Sequence, residues 1–155
     1  MERYCILAFM LDRPGVLNKI TMLIRRKMYN IDTLTVCSTN KPGVSRMTIT
    51  LHSDDISKVE QVIKQIQKII EVISAEILEP ENSYLREVAL VKIEMKASKL
   101  KSFKKNYNFE ILEHENGTNI VQITGSIQEI DAFLETIGKE NMIEVARTGV
   151  TAMKK

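Results

Sequence analysis

The sequence predicts an α+β protein made of two successive β-α-β-β-α-β units, each placing two helices on one face of a four-stranded antiparallel sheet. Three observations point there. Apolar residues switch between a period near 2 and one near 3.6 in that element order, and the order occurs twice. A polar, proline-containing stretch, Glu79-Pro80-Glu81-Asn82-Ser83, separates the two passes. The last helix of each pass steps its apolar residues alike, at 56-59-63-66 and 127-130-134-137, and leads into Ile-Glu-Val at Ile70-Glu71-Val72 and Ile143-Glu144-Val145. The units are therefore read as residues 3-79 and 84-155, both in the ferredoxin-like, split βαβ arrangement.

In the first unit, Tyr4 to Leu11 is an apolar run that ends at Asp12-Arg13-Pro14-Gly15, a buried strand followed by a turn. Val16, Leu17, Ile20, Leu23 and Ile24 then recur at helical spacing to about Lys27, with Arg25, Arg26 and Lys27 at the negative end of the dipole. Residues 31 to 39 alternate as a second strand, and Asn40-Lys41-Pro42-Gly43 turns the chain into a third from Arg46 to Leu51. Ser53-Asp54-Asp55 supplies capping candidates for a helix whose stripe is Ile56, Val59, Ile63 and Ile66, and Val72 to Leu78 closes the unit.

The second pass is similar. Arg86 to Met95 alternates as a strand, and Ala97 to Lys105 is a short helix. Phe109 to Leu112 and Asn119 to Thr124 form a hairpin turned at Asn116-Gly117. The stripe beginning at Ile127 is the last helix, and Met142 to Ala146 the last strand.

Composition excludes several classes. The 155 residues are 44% hydrophobic and 27% charged, the make-up of a globular chain. Lysine and arginine total 22 against 20 acidic residues, and no long basic tract dominates, which argues against nucleic acid or an anionic membrane as the main partner. The apolar runs are shorter than the roughly 20 residues of a membrane span. The N-terminus lacks a basic n-region and cleavage site, so a cytoplasmic location is expected. Cys5 and Cys37 lie in alternating apolar stretches without a partner motif and are expected as buried, reduced thiols.

No catalytic constellation stands out. His52 and His114 lie in different halves without ligand-spaced partners and are read as surface histidines. The nucleotide-binding glycine motifs and the nucleophile elbow are missing. The lysine-rich segment 92-105 is read as a solvated face, because base stacking needs several aromatics on one sheet face and the chain has only eight Phe and Tyr.

The first strand-to-helix turn is more informative. A helix starting near Pro14 leaves backbone N–H groups free at its positive end, a receptor for a carboxylate or phosphate. Gly15 offers no side chain to obstruct an approaching ligand, and Asp12 adds one anion, a combination that suits a zwitterion such as an amino acid. The alternative is structural, with Asp12 capping the helix and Pro14 in its first turn.

Asp12-Arg13-Pro14-Gly15-Val16-Leu17 resembles the ligand loop of ACT domains, small modules that bind amino acids and regulate metabolic enzymes. Tyr29 to Val36 and Ser45 to Ile49, with Arg86 to Ile93, Ile130 to Leu134 and Glu144 to Gly149, are similar to the acetolactate synthase (acetohydroxyacid synthase) small-subunit family over nearly the whole chain. There are two departures. Asp12 stands where that family often has asparagine, and Ala97 to Asn119 matches poorly and is a few residues short, which implies an abbreviated helix.

The resemblance implies a non-catalytic regulator. It would bind a large catalytic subunit that carries thiamine diphosphate, Mg and FAD, raise its activity and confer feedback inhibition by valine, while holding no cofactor itself. It also implies that the first unit is an effector-binding ACT domain that makes a homodimer, its second strand being an edge that two copies can pair along. Gly15, Val16 and Leu17 would receive the effector carboxylate; Asp12 and the Asn30 carboxamide of the other copy would take the ammonium, with Ile31 against the side chain. The competing expectations are a stand-alone ACT-domain amino-acid sensor of transcription or another enzyme, and a small enzyme on the same fold.

Overall fold

The computed structural model describes every residue, Met1–Lys155. In chain order the strands and α-helices are β1 Glu2–Leu11, α1 Val16–Arg26, β2 Ile31–Ser38, β3 Val44–Ser53, α2 Ile56–Ile66, β4 Val72–Leu78, β5 Ser83–Glu94, α3 Ala97–Ser102, β6 Phe109–Glu115, β7 Thr118–Gly125, α4 Ile127–Ile137, β8 Met142–Arg147 and β9 Thr151–Lys154. They form two compact units, Met1–Tyr84 together with Val150–Lys155, and Leu85–Gly149.

In the first unit the antiparallel sheet runs β2-β3-β1-β4, so β2 is an edge strand, as expected. One face is the core. Ile6, Ala8 and Met10 of β1 and Met47, Ile49 and Leu51 of β3 meet Val16, Ile20 and Ile24 of α1 and Val59, Val62, Ile63 and Ile66 of α2. Each such branched side chain, fully buried, contributes about 1.5–3 kcal/mol. Ile56, the first helical residue, is exposed instead, and Val62 joins the stripe, so α2 buries the i, i+3, i+4, i+7 face that starts at Val59. The cap on α2 is Asp55, whose carboxylate accepts from the Ser57 amide at 2.8 Å; a bond from the Ser57 hydroxyl and then this one hold its pKa below the ordinary value.

The cysteine expectation holds at one position only. Cys5 is buried on the inner strand β1, and burial pushes its thiol up to about 11. Cys37 is exposed, because β2 has no strand beyond it. The last residues carry a strand that the alternation pattern did not mark. Val150–Lys155 clusters with the first unit, Lys154 pairing with Glu76 of β4 at 2.7 Å, while β9 pairs with β5; Val150 and Ala152 are fully buried. Four residues of weak alternation do not announce a strand, and its docking is a long-range contact that periodicity cannot register.

The second sheet has five strands, running β6-β7-β5-β8 with β9 also paired to β5. Phe133 of α4 centres its core, with Phe109 at 5.1 Å and Tyr107 at 5.4 Å between ring centroids. The turn Asn116-Gly117 is a two-residue hairpin loop with both residues at positive φ, 49° and 82°. Ser126 and Glu129 form a reciprocal capping box at the start of α4. Helix α3 has six residues before a 3₁₀ turn, against eleven in α1, which is the abbreviation that the poor match over this segment implied.

Candidate functional site

The first strand-to-helix turn is built by three backbone anchors. Leu11 N donates to Glu71 O at 2.8 Å, Asp12 N to Gly43 O at 2.9 Å, and Arg13 N to Leu11 O at 3.0 Å. These bonds tie the loop to the β2–β3 turn on one side and to the start of β4 on the other. Gly15 is the N-cap of α1, with φ 87° and ψ −12°, and no side chain caps the helix. Asp12 therefore does not act as the cap, and its carboxylate is left exposed beside the helix start. The side chains behind the loop hold it from below, since Val16 is buried and Leu17 packs against the core, while an ion pair between Lys19 and Glu71 flanks it.

Of the three amides expected to receive a carboxylate, Gly15 and Leu17 meet no acceptor. Val16 N is turned to Arg13 O at 3.4 Å, a long contact that closes the loop. Asn18 N, which sequence reasoning omitted, is also without an acceptor, because it is the third residue of a helix whose first turn has no internal partners. What the loop can do chemically is accept an anion at these amides, with one carboxylate, Asp12, on hand for a cationic group.

Asn30 and Ile31 do not join this loop within one chain. They lie at the other end of α1, which spans about 16 Å at 1.5 Å per residue. Asn30 is exposed and borders a concavity of about 530 Å³ with Lys27, Asp32, His52 and Lys58, while Ile31 is half-buried against the core. Here His52 is half-buried, its Nδ1 lying 2.7 Å from Asp32 Oδ2, where a surface histidine was expected; His114 is exposed, as expected. The lysines at 99, 101 and 104 are exposed, with Lys104 over the Phe109 ring.

Two family models cover the chain. Residues 6–74 match the ACT domain of the acetohydroxyacid synthase small-subunit type, and residues 86–155 match the small subunit of acetolactate synthase. A probable acetolactate synthase small subunit of Methanothermobacter thermautotrophicus is 35% identical over 99% of this chain and 94% of its own length. The chain belongs to the acetolactate synthase small-subunit family. The small subunit from Bacillus subtilis is 33% identical over 91% of this chain and 84% of its own. A crystal structure of the small subunit from Thermotoga maritima superposes with a TM-score of 0.87 at 29% identity, covering 100% of this chain and 98% of that one. The fold of this family member is thus the two-unit ACT arrangement of its relatives, and the Gly15 loop belongs to the unit matched as an ACT domain. The second unit has no such loop, for α3 begins directly after Lys96 with no glycine at its start.

Proposed function

We propose that this chain is the regulatory, non-catalytic subunit of an acetolactate synthase, acting in the cytoplasm. It binds the thiamine diphosphate-dependent large subunit, raises that subunit's activity, and confers feedback inhibition by valine. Thiamine diphosphate, Mg and FAD reside on the large subunit. The observation that carries this reading is the full-length likeness to small subunits, which spans both units.

Topology supports the effector reading. Asp12 is bonded to Gly43 in the β2–β3 turn, so the Gly15 loop sits beside the end of β2, while Asn30 precedes its start. Two copies pairing antiparallel along β2 bring the start of one β2 beside the end of the other. In that homodimer the open amides of Gly15 and Leu17, with Val16 between them, take the carboxylate of valine; Asp12 and the partner's Asn30 take its ammonium, and the partner's Ile31 borders the side chain. Feedback then requires that the two states of the complex differ in valine affinity, typically by about 1–3 kcal/mol.

The test is acetolactate formation from pyruvate by a large subunit with and without this chain, with valine titrated, alongside calorimetry with valine and alanine. We expect activation by the chain, inhibition by valine, and loss of calorimetric valine binding in Asn30→Ala. No activation overturns the subunit reading; activation with unchanged valine binding in Asn30→Ala overturns the pocket alone.

A further inference from the structure

On the face of the first sheet opposite its helices, one residue from each strand lines up in a single row. Arg46 of β3 pairs in register with Cys37 of β2 and Phe9 of β1, and Phe9 pairs with Ser74 of β4. This row floors a cavity of about 630 Å³, whose wall includes Lys41 of the β2–β3 turn and Ile73. Two guanidinium nitrogens of Arg46, Nε and one Nη, are buried without a hydrogen-bond acceptor. The group lies over the Phe9 ring, 5.6 Å from its centroid. No carboxylate lines the cavity.

A guanidinium that is largely desolvated is stabilised by a nearby anion, and the Nη of Arg46 that is not enclosed is its donor open to the cavity. The Phe9 ring holds the group in place. The volume lies in the range of about 300–1,000 Å³ usual for small-molecule sites, and Phe9 and Ile73 offer apolar contact beside the charge. An ammonium group here would face Arg46 and Lys41 with no anion to balance it. The selectivity is therefore the reverse of that at the Gly15 loop, which has Asp12 beside it.

We propose that this cavity is a second ligand site, for a monocarboxylate with a compact apolar body and no α-ammonium group. Arg46 binds the carboxylate, and Phe9 and Ile73 contact the apolar body. The site abuts the turn whose Gly43 carbonyl accepts from Asp12 at 2.9 Å, so its occupant touches the hairpin that anchors the Gly15 loop. The proposal stands independently of the valine assignment.

The test is an amide chemical-shift titration of the full chain with 4-methylpentanoate. The comparison probes are leucine, which adds the ammonium to the same skeleton, the neutral 4-methylpentanamide, and inorganic phosphate. Saturable shifts at Cys37, Phe9 and Ser74 with 4-methylpentanoate alone, weakened about tenfold or more in Arg46→Met, are expected. Equal binding of leucine, the amide or phosphate at these residues overturns the proposal. So do shifts confined to Asp12–Asn18 and Asn30, undiminished affinity in a folded Arg46→Met, or no saturable shift at all. The probe comparison uses the unaltered chain, so it decides even where Arg46→Met fails to fold.

Discussion

Gly15 holds the candidate effector loop in a left-handed conformation, φ 87°, that a side chain would strain, although a Cβ there would meet nothing within 4 Å. The requirement is conformational, and it agrees with the loop's role as a turn that ends in open amides. At the other extreme of burial, Glu87 is fully enclosed and its two carboxylate oxygens accept from Arg147 Nε at 2.8 Å and one Nη at 2.7 Å, while the remaining Nη reaches Asp131 at 2.7 Å. These bonds push the Arg147 pKa above its ordinary value, the pair with Glu87 first. Arg147→Met leaves a buried carboxylate uncompensated and costs about 3 kcal/mol of stability, measured by urea unfolding. A loss below about 1 kcal/mol, the usual size for exposed pairs, would show that Glu87 is neutralised another way. Sequence reasoning noted Arg86 and Arg147 only as part of a resemblance, because residues sixty positions apart show no periodicity that would reveal an ion pair.

Elements were legible to the extent that their signals were local. Both long helices of the first unit and α4 carry apolar stripes and buried faces at helical spacing. The hairpin at Asn116-Gly117 was readable because type I′ turns demand residues tolerant of positive φ. Edge effects were harder to read. Leu34 and Val36 of β2 share the helix-side face with Ile49 and Met47 by register, yet on this edge strand they are 37% and 38% exposed. An edge strand with apolar residues invites pairing. Val36→Lys places like charges near each other in an antiparallel β2–β2 pair, so it should turn the proposed dimer into a monomer by sedimentation while leaving the melting temperature within a few degrees. A dimer that persists in Val36→Lys would place the self-contact on another surface.

At the scale of the whole molecule, β9 is the clearest consequence of tertiary structure. The segment follows the second unit in sequence and clusters with the first, its strand pairs with β5, and Val150 and Ala152 are fully buried. A chain ending at Gly149 should lose about 2 kcal/mol or more from the first unit, chiefly the burial of Val150. Hydrogen exchange at β1 and β4 would report it, and unchanged protection there would mean that the strand only decorates the surface.

The sequence by itself determined the element order, the twofold repeat, a polar capping segment before α2, the edge position of β2 and the glycine turn before α1. All of these follow from hydrophobic period, turn chemistry and connection rules acting over a few residues. Tertiary structure decided which amides of the α1 start stay open, that Asn30 lies a helix length from them, that Arg46 lies over Phe9 in the lining of an acid-free cavity, and that the last strand pairs with β5 while clustering with the first unit. Each of these depends on where strands distant in sequence come into register, and register is set by packing across the whole sheet.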